Sequence, residues 1–95
     1  MRLPSETASF LKQVIQEKIP GSSVYLFGSR TDNRSKGGDI DIMILTDKIA
    51  DRLIIRKIRL EIIKKLGWQK IDLLNFKHSD DSLFRKLIEN QAIQL

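Results

Sequence analysis

Apolar and polar positions along the chain switch repeatedly between helical and strand spacing. From Ser5 the apolar residues Phe10, Leu11, Val14, Ile15 and Ile19 recur at helical spacing, and Pro20-Gly21 supplies a stop, which predicts a first amphipathic helix. Val24-Tyr25-Leu26-Phe27 is a short run of β-branched and bulky residues between Ser22-Ser23 and Gly28-Ser29, and reads as a buried strand. The polar stretch Arg30 to Gly38 can hold one helical turn before a loop. A second strand is expected over Asp39 to Leu45. Residues 49–66 lack Gly and Pro and are dense in Ile, Leu, Arg and Lys, so a long helix closed by Gly67 follows. Ile71-Asp72-Leu73-Leu74-Asn75-Phe76 reads as a third strand, after which Ser79-Asp80-Asp81 is expected to cap a last helix with Phe84, Leu87 and Ile88 inward.

The order αβ(α)βαβα interleaves three strands with helices, which implies an α/β (α+β) sandwich on a small mixed three-stranded sheet. The 95 residues are read as one domain, 1–95. No apolar run reaches the roughly 18 to 20 residues of a membrane span, and the N-terminus lacks the apolar stretch of a signal peptide, so a cytoplasmic protein with no membrane partner is expected. With no Cys, thiolate metal sites and thiol catalysis are excluded. Carboxylates, hydroxyls and one His are left. Seventeen Lys and Arg against twelve Asp and Glu favour a phosphate-bearing or acidic partner without choosing among nucleotide, nucleic acid and protein. A nucleic-acid surface is the less favoured choice, since there is no RNP-type aromatic pattern and no G-x-x-G clamp.

Candidate chemistry concentrates on three acids. Asp39 and Asp41, two apart on a strand, project from one face with Cα atoms about 6 to 7 Å apart, while Ile40, Ile42 and Ile44 take the other face and set the register. Adjacent carboxylates repel and Asp is disfavoured in strands, so the pair is locally costly unless a cation or a shared proton compensates. Eight Asp in this chain give about 0.7 D-x-D pairs by chance, so the tripeptide by itself decides nothing. Its context does, because Gly28-Ser29 ends another strand just upstream. Gly28 lets backbone approach a ligand closely and Ser29 offers a hydroxyl and neighbouring N–H groups to a phosphate, although Gly-Ser alone is an ordinary turn and cap. Asp72 lies in an apolar run. If its strand lies beside the second, it joins Asp39 and Asp41 in an all-oxygen cluster suited to Mg²⁺ or Mn²⁺, able to clamp triphosphate oxygens; taken singly it is equally a strand-end surface residue.

Leu26-Phe27-Gly28-Ser29-Arg30, Gly38-Asp39-Ile40-Asp41-Ile42-Met43-Ile44 and Ile71-Asp72-Leu73-Leu74, in that order, resemble the minimal nucleotidyltransferase family of the superfamily that includes DNA polymerase beta. The resemblance spans roughly residues 5–90. It implies that Gly28 and Ser29 hold the triphosphate with Arg30 reaching a phosphate, that Asp39 and Asp41 bind metal, and that Asp72, completing the metal and catalytic set, positions or deprotonates an acceptor hydroxyl. It also implies AMP transfer from ATP, or from another NTP, with Mg²⁺ or Mn²⁺. Small family members occur beside helical HEPN-type proteins as toxin-antitoxin pairs and adenylylate the toxin on Tyr; a homo-oligomer is the other assembly considered. Thr31-Asp32-Asn33-Arg34 departs from the small residue, Arg and Gly that many members carry there, which leaves base and partner preference open. The alternative from another class is a non-catalytic antitoxin or adaptor acting by contact alone.

Secondary features receive plainer readings. Arg34 and Lys36 are read as loop charges, Arg52, Arg56 and Arg59 as a solvated basic ridge, and His78 as a loop residue. Trp68 is read as a core or edge anchor. On the long helix, Ala50, Ile54, Ile58, Ile62 and Leu66 form the row that faces the sheet, and Leu53, Leu60 and Ile63 form a second apolar side available to other helices or another subunit.

Overall fold

A computed structural model describes residues 3–28 and 39–95. It contains α1 (Ser5–Lys18), β1 (Ser23–Phe27), β2 (Ile40–Thr46), α2 (Arg52–Leu66), β3 (Ile71–Lys77), α3 (Leu83–Gln91) and β4 (Ile93–Gln94). The expected helical turn in residues 30–38 lies outside the described residues.

The sheet runs β3-β2-β1-β4. β1 pairs antiparallel with β2 and β4, and β2 pairs parallel with β3. Four strands therefore replace the three expected. β4 is missed by periodicity because Ile93–Gln94 is too short to show any; pairing decides it, with Leu26 opposite Ile93 and the Leu95 N–H donating to the Val24 carbonyl at 2.9 Å.

Both faces of the sheet are covered, and by different helices. Ile40, Ile42 and Ile44 of β2, Val24 and Leu26 of β1 and Ile71 of β3 pack with Leu11, Val14 and Ile15 of α1 and Ile58 and Ile62 of α2. Nearly all are fully buried, and a Leu or Ile so placed contributes about 1.5 to 3 kcal/mol. On the opposite face Met43 and Leu45 meet Ile88 of α3, with Tyr25, Phe27, Leu74 and Phe76 around them. β2 is thus apolar on both faces beyond its first residues, as the inner strand of a covered sheet must be.

Helix termini follow local chemistry more closely than apolar content. α2 starts at Arg52 rather than at 49 because the Asp51 carboxylate accepts the Leu53 N–H at 2.8 Å, fixing the N-cap. Ile49 and Ala50 instead belong to a connection tied down by Asn75, whose side-chain oxygen accepts the Ala50 N–H at 2.7 Å while its amide nitrogen donates to the Ile44 carbonyl and Thr46 Oγ1, each at 3.0 Å. Gly67, at φ 82°, closes the helix as expected, its N–H donating to the Ile63 carbonyl at 2.8 Å. α3 is capped by Ser82, one residue beyond the expected trio, with Asp80 in support as acceptor of the Ser82 N–H at 2.8 Å.

Other expectations are corrected. Only Ile88 of the three apolar α3 residues is buried; Phe84 and Leu87 are each 57% exposed, because α3 is short and crosses only the end of the second core. Trp68 is 87% exposed and anchors no core. Arg59 is not part of a solvated ridge, since it is half-buried and donates to the Ile71 carbonyl, holding α2 to the start of β3. Arg52, Arg56 and His78 are exposed. Ile63 packs against the main core, while Leu53 and Leu60 remain exposed. Among the described residues no helix is long and apolar enough to cross a membrane.

Candidate functional site

Strand directions bring three chain segments to one end of the sheet. β1 ends where its antiparallel neighbour β2 begins, and β3, parallel to β2, begins there too. Phe27 stands opposite Asp41 on one side, and Asp72 stands opposite Asp41 on the other. Residues opposed in register share a face, so Asp41 and Asp72 project together, on the side that carries Met43, Leu45, Leu74 and Phe76 further along. The acids occupy the open end of the face that α3 covers.

Two apposed carboxyl groups repel unless they share a proton or a cation, and Asp41 registers the cost: burial first, then hydrogen bonding with and the charge of Asp72, then the charge of Asp39, push its pKa up to about 6. Lys70 opposes the shift. Its Nζ lies 3.6 Å from Asp39 Oδ2, just upstream of β3, and the Lys70 carbonyl accepts the Ile40 N–H at 3.0 Å, so the backbone that begins β2 is bound to the residue bearing the local cation. Sequence reasoning missed Lys70. Its position two residues before Asp72 is the available signal.

Gly28 completes the wall. It has φ 77°, and a Cβ built there would collide with Asp41 Oδ2 and sit 3.1 Å from Asp41 Cγ. Glycine is therefore required for two independent reasons, the left-handed backbone and the close approach of a carboxylate.

Thus the structure gathers Gly28, Asp41 and Asp72, with Asp39 adjacent and leaning to Lys70. Ser29 and Arg30, the other two predicted site residues, lie outside the described residues. As they stand, no three acids or imidazoles among the described residues are close enough together to enclose an ion. The donor set nevertheless fits a hard divalent cation: it is all carboxylate oxygen, and an ion at Asp41 would replace the proton that two apposed acids otherwise need.

The chain is similar to known proteins in sequence and in fold. The chain is 27% identical over 88 residues to the probable protein adenylyltransferase MntA of Haemophilus influenzae, covering 90% of this chain and 75% of that protein. Among solved structures, a chain from the complex of tri-AMPylated Shewanella oneidensis HEPN toxin with MNT antitoxin superposes with a TM-score of 0.72 at 21% identity, over 95% of this chain and 69% of that one. A chain from a toxin-antitoxin crystal structure with AMP-PNP gives 0.74 at 21% identity, over 92% and 70%. At such identities the superpositions establish a common fold. Residues 9–95 match the family described as Polymerase beta, Nucleotidyltransferase, and with nearly the whole chain matched, the protein belongs to that family.

Proposed function

We propose that this protein is a metal-dependent nucleotidyltransferase that moves AMP from ATP onto a hydroxyl of a helical HEPN-type partner protein, in the cytoplasm where ATP is held. The observation that carries the reading is the register of Asp41 against Asp72 under Gly28, which apposes two carboxyl groups where only a cation or a proton can make them compatible. Family membership and the relatives' association with AMPylated toxin and AMP-PNP support it.

Nucleotidyltransferases of this family generally use a divalent metal ion, and the oxygen-only donors here suit Mg²⁺ or Mn²⁺. Asp39, Asp41 and Asp72 would hold it, and once bound it would neutralise phosphate charge and favour departure of pyrophosphate. The acceptor oxygen attacks the α-phosphorus, forming one P–O bond as the bond from that phosphorus to the β-phosphate oxygen breaks. Pyrophosphate leaves with the bond electrons. The acceptor proton passes to Asp72, whose side chain is more exposed than that of Asp41 and open to an incoming hydroxyl. Gly28 lets the triphosphate approach the acids, with Ser29 and Arg30 as the phosphate contacts that the motif supplies.

Asp72→Asn tests the assignment because it keeps shape and removes charge. The variant should bind Mg-ATP within several-fold of wild type yet transfer label from α-labelled ATP to the partner about 10² to 10⁴ times more slowly, the scale of a lost general base. Unchanged transfer would remove Asp72 from the chemistry. Wild type that neutralises its partner without labelling it would establish the contact-only antitoxin instead.

A further inference from the structure

Among the described residues β3 is an edge of the sheet, paired with β2 along its whole length and with no other strand. The Ile40 N–H donates to the Lys70 carbonyl and the His78 N–H to the Thr46 carbonyl, so the even-numbered residues of this stretch turn their backbone groups to β2. Leu73, Asn75 and Lys77 therefore turn theirs outward. Arg59, which donates to the outward carbonyl of Ile71, already occupies the first group of this row. The rest is an unbulged edge without Pro, a template for one more strand of the kind that natural proteins blunt or cover. On the face of the sheet that α2 covers, Arg52, Arg56 and Arg59 line a groove of about 620 Å³ that reaches Asn75. No acidic side chain lines it, and Asp51, its neighbour in the chain, is engaged in capping α2. Arg52 and Arg56 are exposed and form no ion pair among the described residues. The first turn of α2 holds no acid either, and a cation there opposes the helix dipole, so Arg52 is locally unfavourable until an anionic group stands against it. Asp72 projects from the opposite face of β3, which separates this groove from the acid site.

We infer that the β3 edge and the arginine groove form one docking site, whose occupant is an extended segment of a partner protein, acidic at alternate positions, added to the sheet as a strand beside β3. Backbone pairing supplies the affinity of such an addition, and its alternate side chains supply the specificity. Side chains of the added strand that share a face with Leu73 and Asn75 lie under Arg52, Arg56 and Arg59, where carboxylates can accept from the guanidinium groups. Those on the other face lie beside Leu74 and Phe76, which are half-buried and apolar, and apolar residues fit there. A second copy of this chain fits less well. Two β3 edges joined antiparallel would place two rows of arginines on one side of the joined sheet, like charge against like. A nucleic-acid backbone would engage the arginines but leave the outward groups of Leu73 and Asn75 unpaired.

Fluorescence anisotropy with labelled synthetic peptides tests the site. A capped peptide of about eight residues in which Glu and Val alternate, long enough to run along β3, should bind wild type, and its Lys-Val counterpart should not. The double variant Arg52→Glu with Arg56→Glu should weaken the Glu-Val peptide by about tenfold or more, because two attractions become repulsions. Both side chains are exposed, so the fold is retained, and circular dichroism checks it. Only every second N–H of an added strand faces β3, so N-methylation of one alternate set should abolish binding while methylation of the other set leaves it intact. The amides of Leu73 and Asn75 should exchange more slowly with the peptide bound. A Glu-Val peptide that fails to bind, that binds no better than the Lys-Val peptide, that binds the double variant equally well, or that responds equally to either methylation overturns the inference. Binding of a short oligouridylate where the peptide does not bind also overturns it and assigns the arginines to a phosphate backbone. Protection of Leu73 and Asn75 that grows with protein concentration alone overturns it in favour of a second copy.

Discussion

Asp41 is where burial, neighbouring acids and close packing conflict most within the fold. Its carboxyl is pinned between Gly28 and Asp72, and its raised proton affinity has a defined consequence for stability. The folded chain keeps, up to about pH 6, a proton that the unfolded chain releases near its ordinary value of 3.8. The corresponding stabilisation is therefore full at low pH and is lost as pH rises through that window. In chelator-containing buffer, the difference in melting temperature between wild type and Asp41→Asn should shift in favour of the variant from pH 4 to pH 7. A pH-independent difference would show that the two acids are not coupled. Gly28→Ala is the complementary test. The left-handed backbone alone costs an alanine about 1 kcal/mol, or roughly 4 to 8 °C in a chain of this size, and the new methyl also displaces the Asp41 carboxylate. Transfer activity should fall far more than thermal stability does. An equal, small loss of both would place Asp41 outside the reaction.

At the scale of elements, the helices differ in what they leave uncovered. α2 buries Ile58 and Ile62 completely and presents Leu53 and Leu60 outward, at 64% and 56% exposure. Leu60→Lys should therefore leave the melting temperature within a few degrees of wild type, whereas Ile62→Ala should cost about 2 to 5 kcal/mol as a cavity in the main core. Thermal denaturation distinguishes the two directly, and severe destabilisation by Leu60→Lys would mean that this side of the helix is core. The helical and strand periods in the sequence were sufficient to locate α1, β1, β2, α2, β3 and α3, because each spans enough residues for its period to emerge. They were insufficient for β4, a two-residue strand, and for the inward face of α3. A helix of nine residues presents too few turns to show which of Phe84, Leu87 and Ile88 will find a neighbour.

For the molecule as a whole, the covered faces of the sheet and its one open end divide structure from chemistry. α1 and α2 seal one face, α3 seals part of the other, and the acids stand where α3 stops. A ligand that binds only this assembled end stabilises the whole fold by mass action, about 2.7 kcal/mol at a hundredfold excess over its Kd. Mg²⁺ with ATP should thus raise the melting temperature of wild type at pH 7, and chelation should reverse the rise. Asp41→Asn should show neither effect; an equal rise in the variant would separate nucleotide binding from the acid cluster.

What the sequence by itself determined is what local period and local chemistry govern: the alternation that buries Ile40, Ile42 and Ile44 and thereby turns Asp39 and Asp41 to the other face, and the glycine signal that closes α2 at Gly67. The spaced glycine, paired acids and third acid were likewise legible as a set. Tertiary structure alone decided that Asp72 stands in register with Asp41, since strand neighbours and register depend on contacts between residues far apart in the chain. For the same reason it alone decided that Lys70 reaches Asp39, that Arg59 grips the start of β3, and that the exposed side of α3 borders Gly28. A side chain's period tells which way it faces. Only packing tells what it faces.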